Sequence, residues 1–431
     1  MLEFTCATSW IDRPMPNGAS LDEKFHRNAN SAMAVWGSSG WDNIQDHNRL
    51  AFGLFGKLWA NTTADRSQPI GALVNAAFIG SQAAIKGDSM NTYILLGDPL
   101  TKLRVNRPHA TPGNIAMGTI AGHADASPGN NDAQGRSAGF RSPTRVAVSP
   151  DGVVSYVSDT GNHTVRKVNL TTGVVTTLAG MAGTQGAQNG LIGTSQLNNP
   201  AGLAVSPDGQ YVYVADTGNN AIRRVNVTTT EVTTIASGLS GPSGLAASWD
   251  GVAVYFTEPL AHRLRRVLVG SNEIQDVASG GLLNAPDGVS IPGDGTFALV
   301  ADTAGNAILK IDLTASPFVV STVVASSKGL NQPHGVALTA DGRYAYVADT
   351  GNQVIRRINV AANQMATVSG LVGATGRADG QGADARYNFP VDVAVNLTQD
   401  RVVVGDSSNN LVRYANIQAS KNGLYLPVVK R

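Results

Sequence analysis

The chain has 431 residues, a formal net charge of +1 and a single cysteine, Cys6. This length is sufficient for two domains, and the near-balance of charge argues against a strongly electrostatic partner such as duplex nucleic acid. No apolar run reaches the roughly 18 residues that a helix needs to cross a bilayer, and one cysteine excludes an internal disulfide. The 48 glycines and the 6% aromatic content suit a turn-rich, mainly β protein.

Residues 1–106 differ in sequence pattern from the rest of the chain. Short apolar runs predict buried strands, and capping-box spacing or 3.6-residue periodicity predicts helices. The predicted strands are residues 1–5, 32–36 and 92–96, and the predicted helices are residues 20–27, 47–60 and 70–86. Three strands make an incomplete α/β layer, so the sequence is expected to begin in mid-domain.

Four motifs follow one another in this segment: EFTCATSW, ASLDEKFHRN, SAMAVWGSSGW and NTYILLGDPLTKLRV. Together they resemble the C-terminal half of a gingipain-type cysteine peptidase domain, with its caspase-like α/β fold, over nearly all of residues 2–105. The resemblance implies that Cys6 is the family's nucleophile. It also implies that the catalytic histidine lies upstream of the cysteine, in a part that this sequence does not contain.

Cys6 has a second interpretation, as a buried thiol without a chemical role, because unpaired cysteine is commonly buried. A thiolate nucleophile requires a lowered pKa and usually a histidine partner. His26 and His47 are the nearest histidines in sequence, and both lie in segments predicted to face solvent. Asp98, in a Gly-Asp-Pro turn after a strand, is interpreted as a structural turn residue.

From about residue 114 the sequence repeats. The phrase YVYVADTGNNAIRRVNV at residues 211–227 recurs in five further copies, and each copy has a proline sixteen residues before its acidic residue. Spacing between copies varies from 42 to 57 residues while spacing within a copy is fixed, as expected for a structural unit whose linkers tolerate insertions. The pairs are Pro143 with Asp159, Pro200 with Asp216, Pro242 with Glu258, Pro286 with Asp302, Pro333 with Asp349, and Pro390 with Asp406.

Each copy predicts four short strands. In the second copy they are residues 202–206, 211–215, 221–227 and 231–236, and an Asp-Gly pair indicates a hairpin between the first two. Six such antiparallel sheets around an axis form a six-bladed β-propeller. The sixth copy stops after its third strand, and residues 114–121 are predicted to supply the missing fourth strand.

The Asn-Pro-x-Gly anchor, the Asp-Gly pair and the V-A-D-x-x-N-x-x-I-R phrase are similar to the signature of NHL repeats, over roughly residues 114–418. This resemblance also implies a six-bladed propeller. The third copy departs most, with Glu258-Pro259 in place of Asp-Thr. The sixth copy has Thr398-Gln399 in place of the Asp-Gly pair.

An arginine follows the acidic residue by seven positions in five of the six copies, and Leu309 occupies this position in the fourth. A ring of arginines could bind an anionic ligand, but repetition at equivalent positions more often indicates a salt bridge reused in each blade. The histidines of the repeat region are interpreted as solvated or capping residues at unlike positions, and no metal or other cofactor is predicted. The arginines are Arg166, Arg223, Arg265, Arg356 and Arg413, and the histidines are His123, His163, His262 and His334.

Three linkers between copies are long: residues 122–141, 180–198 and 370–388. In a four-stranded blade, the linkers emerge on the same face as the Asp-Thr-Gly-Asn turns. Long loops on one face of a rigid scaffold are where function concentrates, so this loop-rich face is the predicted binding surface.

These patterns divide the chain into the C-terminal part of a peptidase domain at residues 1–106, a propeller at 107–418 and a tail at 419–431. Two functions stay open. The first is a binding module for a protein or polysaccharide ligand, with no nucleic-acid partner and no membrane span. The second is a cysteine-type endopeptidase, with Cys6 active in proteolysis when the missing upstream half is supplied. The peptidase resemblance further implies an extracellular or cell-surface location, although no signal-peptide pattern follows Met1.

Overall fold

The computed structural model describes residues 35–38, 93–96, 115–396 and 401–416. In the first part of the chain, β1 (Val35–Ser38) and β2 (Tyr93–Leu96) form an antiparallel pair. β2 coincides with the strand predicted at residues 92–96. β1 overlaps the strand predicted at 32–36 and extends into the predicted turn. The remaining predictions for residues 1–106, with Cys6, His26, His47 and Asp98, lie outside the described residues, as does the tail.

The repeats form six antiparallel sheets, which are the six predicted blades. Two strands precede the first repeat: β3 (Ala116–Ala121) and β4 (Ala133–Gln134). Blade one consists of β5 (Pro143–Val148), β6 (Val154–Asp159), β7 (Thr164–Asn169) and β8 (Val174–Gly180). Blade two consists of β9 (Pro200–Val205), β10 (Tyr211–Asp216), β11 (Ala221–Asn226) and β12 (Val232–Ala236). Blade three consists of β13 (Leu245–Ala247), β14 (Ala253–Glu258), β15 (Arg263–Leu268) and β16 (Ile274–Ser279).

The second half of the ring repeats this order. Blade four consists of β17 (Pro286–Ser290), β18 (Phe297–Asp302), β19 (Ala307–Asp312) and β20 (Val319–Val324). Blade five consists of β21 (Pro333–Leu338), β22 (Tyr344–Asp349), β23 (Val354–Asn359) and β24 (Gln364–Ser369), and β25 (Gly380–Gln381) follows it. Blade six contributes β26 (Pro390–Val395), β27 (Arg401–Asp406) and β28 (Leu411–Asn416).

Short 3-10 helices occupy the turns. Five of them follow the acidic residue that ends the second strand of a blade: Thr160–Asn162, Thr217–Asn219, Pro259–Ala261, Thr350–Asn352 and Ser407–Asn409. Three others lie in linkers: Gly135–Ser137, Ser326–Lys328 and Gly382–Asp384. No helix in the described ranges is long and apolar enough to span a membrane.

The ring closes between its first and last strands. β3 pairs antiparallel with β28, with Gly118 opposite Tyr414 and Thr119 opposite Arg413. β3 is therefore the outer strand of blade six, which confirms the prediction for residues 114–121. In the same blade, β26 and β27 pair antiparallel although the Asp-Gly signal is absent.

The hydrophobic core lies between blades. Val212 and Val214 of blade two pack with Tyr156 and Val165 of blade one, and similar clusters join the other neighbours. A blade between two neighbours is covered on both faces, which explains why β10 is an almost continuous buried run instead of an alternating one. The strand bounds in this blade differ from the prediction by one or two residues.

The first strand of every blade faces the propeller axis. These strands, β5, β9, β13, β17, β21 and β26, line an axial cavity of ≈ 200 Å³, largely with valine, alanine and leucine side chains. Arg145 and Asp392 also line it, so a cavity bordered mainly by small aliphatic residues contains two charged residues.

Candidate functional site

The acidic turns and the linkers share one face, as predicted, and hydrogen bonds join them. In blade two, Asp216 Oδ1 accepts the backbone N–H of Asn198, at the end of the linker, over 2.7 Å. The acidic residue of every other blade accepts the N–H of the residue eighteen positions earlier. Each acid therefore fixes the linker that leads into its own blade. We call this the linker face.

The repeated arginines are partners of these acids. Arg223 Nη1 lies 2.7 Å from Asp216 Oδ2, and both side chains are buried. Asn219 donates a second hydrogen bond to the same oxygen over 2.7 Å. Equivalent ion pairs join Arg166 with Asp159, Arg356 with Asp349 and Arg413 with Asp406. The arginines thus satisfy buried carboxylates within each blade, which supports the salt-bridge interpretation over an anion-binding ring.

Burial is the largest influence on the pKa of several of these acids. It raises the pKa of Asp159 and of Asp406 to about 6, although each carboxylate accepts hydrogen bonds and faces an arginine. Burial also raises the pKa of Asp216. The free-energy cost of removing the carboxylate charge from water therefore exceeds the stabilisation that the arginine provides.

Two copies depart from this arrangement. In blade three, Glu258 is one methylene longer and pairs with Arg263 over 2.5 Å. Arg265 keeps a longer ion pair with Glu258, at 3.6 Å, and forms a closer one with Asp276, at 2.8 Å. In blade four, Leu309 replaces the arginine and Gly305 replaces the asparagine. Asp302 there is buried and accepts the Asn284 N–H, and burial raises its pKa.

The three long linkers are held by the same arginines at the same spacings. Arg166 donates to the carbonyls of the residues 27 and 35 positions earlier and to the side chain 34 positions earlier, which is Asp132. Arg223 repeats the pattern with Asn189, and Arg413 repeats it with Asp379. The linkers are therefore a second repeated unit, in which Asp132 and Asp379 serve the fold. The sequence predicted them only as long loops of a binding surface.

A third repeated contact joins neighbouring blades. The residue four positions after each acid accepts, through its side chain, the backbone N–H of the residue before the next blade's anchor proline. We call this contact the inter-blade latch. The acceptor and donor pairs are His163 with Asn199, Asn220 with Gly241, His262 with Ala285, Asn306 with Gln332, Gln353 with Phe389, and Asn410 with Ser142.

This latch corrects one prediction about the histidines. His163 and His262 do not occupy unlike positions, because each lies four residues after the acid of its blade. Both accept a backbone N–H at Nδ1, over 3.1 Å and 2.9 Å, so Nδ1 must be the unprotonated nitrogen. Their role is capping, which was one of the two predicted alternatives. Counting from the acidic residue would have revealed the equivalence.

A cluster of charged side chains lies on the axis, at the start of the inner strands. Arg145 forms an ion pair with Asp287, and its Nη1 lies 3.6 Å from Asp392. Asp287 also accepts the Ser243 hydroxyl, and its Oδ2 lies 2.5 Å from Nδ1 of His334. These five residues, the axial cluster, come from blades one, four, six, three and five. The Arg145–Asp287 pair joins blades one and four across the ring, whereas the latch joins neighbours.

The two aspartates of the axial cluster titrate in opposite directions. Burial alone would raise the pKa of Asp287, but Arg145 and His334 outweigh it and hold that pKa well below its usual range. Burial raises the pKa of Asp392 to about 6 despite Arg145 and the Val146 N–H that it accepts. Asp287 is therefore the permanent counter-ion of Arg145.

Sequence reasoning missed this cluster, although a signal was present. Four copies have glycine two residues after the anchor proline, and an added Cβ at Gly202 would lie 1.8 Å from the Ser243 carbonyl oxygen. Arg145 and Asp392 stand at this position in the other two copies. A charged residue where the repeat requires glycine indicates a local specialisation.

The rim of the linker face carries exposed apolar side chains. Leu260 is 80% exposed in the turn of blade three, and Leu282 is exposed in the linker that follows. Leu371 and Val372 are exposed at the start of the linker into blade six. Phe389, immediately before that blade, is 40% exposed and lies 5.9 Å from the His334 ring.

Phe389 is held in an unusual backbone conformation. Its φ is +59°, in the left-handed region that bulky residues rarely adopt. The equivalent residues in the other blades share this conformation but are smaller or flexible: Ser142, Asn199, Gly241, Ala285 and Gln332. Of these six equivalent positions in the propeller, one carries an aromatic side chain, at the mouth of the axial cavity.

The predicted catalytic candidate, Cys6, is outside the described residues. Across residues 115–396 and 401–416, no group of three or more His, Cys, Asp or Glu side chains is placed to hold a metal ion. The chemistry that the described face offers is hydrogen bonding by His334, aromatic contact by Phe389 and apolar contact by the leucines.

Comparison with known families matches both parts of the chain. Residues 1–104 match peptidase family C25, and residues 197–224 match the NHL repeat. NHL repeat-containing protein 2 of Homo sapiens is 32% identical over 107 residues, which are 25% of this chain and 15% of that protein. SUPPRESSOR OF QUENCHING 1, a chloroplastic protein of Arabidopsis thaliana, is 37% identical over 99 residues, 23% of this chain and 9% of that protein. The chain thus matches only a small part of each relative.

Solved structures share the fold at low identity. A Bacteroides thetaiotaomicron protein of unknown function superposes with a TM-score of 0.58 and 17% identity, over 76% of this chain and 80% of that one. An auxiliary nutrient binding protein from the same organism gives 0.57 and 14%, also over 76% and 80%. A likeness at this identity shows the propeller fold alone.

Proposed function

Because this chain carries an NHL-repeat six-bladed propeller together with a segment of the peptidase C25 family, we propose that the propeller is a non-catalytic interaction module. The single observation that carries this proposal is the linker face. The repeated acids and arginines and the axial cluster are engaged in internal ion pairs, while Leu260, Leu282 and Phe389 are exposed, and Phe389 lies beside His334. Such a surface suits a ligand recognised by apolar and hydrogen-bonding contacts.

The ligand class follows from the same surface. An exposed aromatic ring beside an imidazole can stack on a sugar ring or receive an apolar side chain of a protein. The left-handed backbone of Phe389 is a local cost that fits a role in contact with a ligand. We therefore propose a protein or polysaccharide partner, bound over the axial mouth.

The test is to screen the full chain against a glycan microarray and a random-peptide phage library. Phe389→Ala and His334→Ala should each weaken any binding at least about tenfold, since central aromatic contacts contribute about 1–3 kcal/mol. Val252→Ser is the matched control, because Val252 is 55% exposed at the Asp-Gly hairpin of the opposite face. Binding that both axial variants retain would contradict the proposal.

A second candidate function is favoured by the match of residues 1–104 to peptidase family C25. Here Cys6 is the nucleophile of a cysteine endopeptidase that works together with the upstream part of the family's domain. An acyloxymethyl ketone probe distinguishes the two. If the chain is a binding module alone, Cys6 reacts no faster than free cysteine. Selective labelling at neutral pH that Cys6→Ala abolishes would make the peptidase the leading function.

We also propose an extracellular or cell-surface location, supported by the resemblance to gingipain-type peptidases. Fractionation of the source cells, with immunodetection of the propeller, tests it. Recovery in the cytosolic fraction alone would contradict it.

A further inference from the structure

The outer strand of each blade has one edge that faces away from its own sheet. Three blades cover this edge with the linker that precedes them. β4 pairs antiparallel with the start of β8, β25 pairs antiparallel with β3, and Gly190 forms a bridge on β12. The covered residues are Val174 and Val175 in blade one, Val232 in blade two, and Ala116 and Met117 in blade six. This edge position accepts a short antiparallel strand wherever a long linker is available.

The other three blades have short linkers and differ at this edge. Blade three carries Asp276 in its outer strand, 66% exposed and paired with Arg265. In blade five, the Ile115 N–H donates to the Val368 carbonyl of the outer strand. An exposed charge or a bound backbone group is a known protection against strand addition.

Blade four has neither form of protection. Its outer strand, β20, has the sequence VVSTVV, and no charged residue occurs from 313 to 327. Val319 is 55% exposed, and Ser321 and Thr322 are also exposed. Within the described part of the chain, no other strand pairs with the outer edge of β20.

We propose that this edge is a self-association site, at which the β20 strands of two copies of the chain pair antiparallel. A two-fold axis between identical edges makes the strands antiparallel, which is the orientation that β4 and β25 adopt on the equivalent edges. A second copy fits because an uncharged strand of β-branched and hydroxyl residues opposes no like charge when it meets itself.

The interface is short. The pairing of β19 with β20 shifts register between Thr322 and Val324, so the regular part of the edge is Val319 to Thr322. A four-residue pairing buries far less than the about 1,200 Å² of a standard stable interface, so the dimer is weak, with dissociation constants in the micromolar range or above.

Sedimentation velocity of the full chain, across micromolar to hundreds of micromolar concentrations, measures this association. We expect the weight-average mass to rise from monomer toward dimer. Ser321→Lys should weaken the dimer on the order of tenfold or more, because it places two like charges beside the two-fold axis. Ala366→Lys is the matched control, since Ala366 is exposed at the equivalent position of blade five, opposite Arg357 as Ser321 is opposite Lys310.

Three outcomes would overturn the proposal: a monomer at every concentration, a dimer that Ser321→Lys leaves intact, or equal dissociation by Ala366→Lys. If Ser321→Lys does not fold, cross-linking in a Cys6→Ala background replaces it. Ser321→Cys then forms a covalent dimer under mild oxidation, because residue 321 lies near the axis, whereas Ala366→Cys does not. Equal cross-linking of both variants would equally contradict the proposal.

Discussion

The side chain of Asn410, in blade six, accepts a hydrogen bond from the backbone N–H of Ser142, at the start of blade one, over 2.8 Å. This contact is the inter-blade latch at the point where the ring closes. The same contact joins the other five neighbouring pairs, so closure uses the bond that holds every blade to the next. Pairing of β3 with β28 is added to it.

The latch predicts unequal effects of two substitutions at His163. His163→Ala removes the acceptor of the Asn199 N–H and places alanine at φ +57°, so we expect a loss of about 1–2 kcal/mol in the free energy of unfolding. His163→Asn installs the residue found at three other latches, which keeps an acceptor and tolerates this backbone. Its stability should stay within about 0.5 kcal/mol of wild type. Urea unfolding measures both. Equal losses for the two variants would contradict the latch.

The acid–arginine pairs predict a larger loss in the same blade. Asp216→Ala leaves Arg223 buried without its carboxylate, so we expect about 3–5 kcal/mol, more than a lost cap alone. Asp208→Ala is the control, because Asp208 accepts hydrogen bonds only from neighbouring residues of the exposed Asp-Gly hairpin, and about 1 kcal/mol is expected. Denaturant midpoints at constant slope give both values. Similar losses at the two sites would mean that the buried pair adds nothing.

The raised pKa of Asp302 predicts that its replacement by asparagine increases stability, by an amount that depends on pH. Its pKa is raised by burial, so the folded chain binds a proton that the unfolded chain has released, and this contribution to stability is lost as pH rises through the folded pKa. Asp302→Asn keeps an acceptor for the Asn284 N–H and carries no charge. The variant should be more stable by about 0.5–2 kcal/mol at pH 7, and the difference should shrink toward pH 4. A difference that is independent of pH would contradict this account.

The axial cluster predicts unequal roles for its two aspartates. Asp287→Asn removes the permanent counter-ion of Arg145 and should cost about 3–5 kcal/mol at pH 7. Asp392→Asn keeps an acceptor for the Val146 N–H, and it removes a carboxylate whose pKa burial raises to about 6, so a change of less than about 1 kcal/mol is expected. Thermal and urea unfolding of the two variants provide the comparison. A more severe effect of Asp392→Asn would reverse the assignment of the counter-ion.

Sequence reasoning predicted the blades because their register depends on local residues. The anchor proline, the Asp-Gly pair and the acidic turn are fixed by backbone geometry within one copy, so their spacing is visible in the sequence. β3 was predictable for a related reason, since a ring with an incomplete last blade needs one more strand.

The contacts across the ring were not predictable in this way. Arg145 lies in blade one, Asp287 in blade four and Asp392 in blade six, so the three meet only when the ring assembles, and no short spacing joins them. The linker repeat was hidden because Arg166 and Arg223 bind mainly backbone carbonyls, which constrain position without constraining residue type.

The closure by β3 determines how the ring responds to tension. Since β3 and β28 are antiparallel, the start of β3 lies beside the end of β28, and the chain passes into and out of the propeller at adjacent points of blade six. A pull on these two ends loads the hydrogen bonds of the seam in sequence, from the pair Gly118 and Tyr414 toward the pair Ala121 and Val412, and not all together. The seam therefore unzips instead of shearing, and blade six opens first.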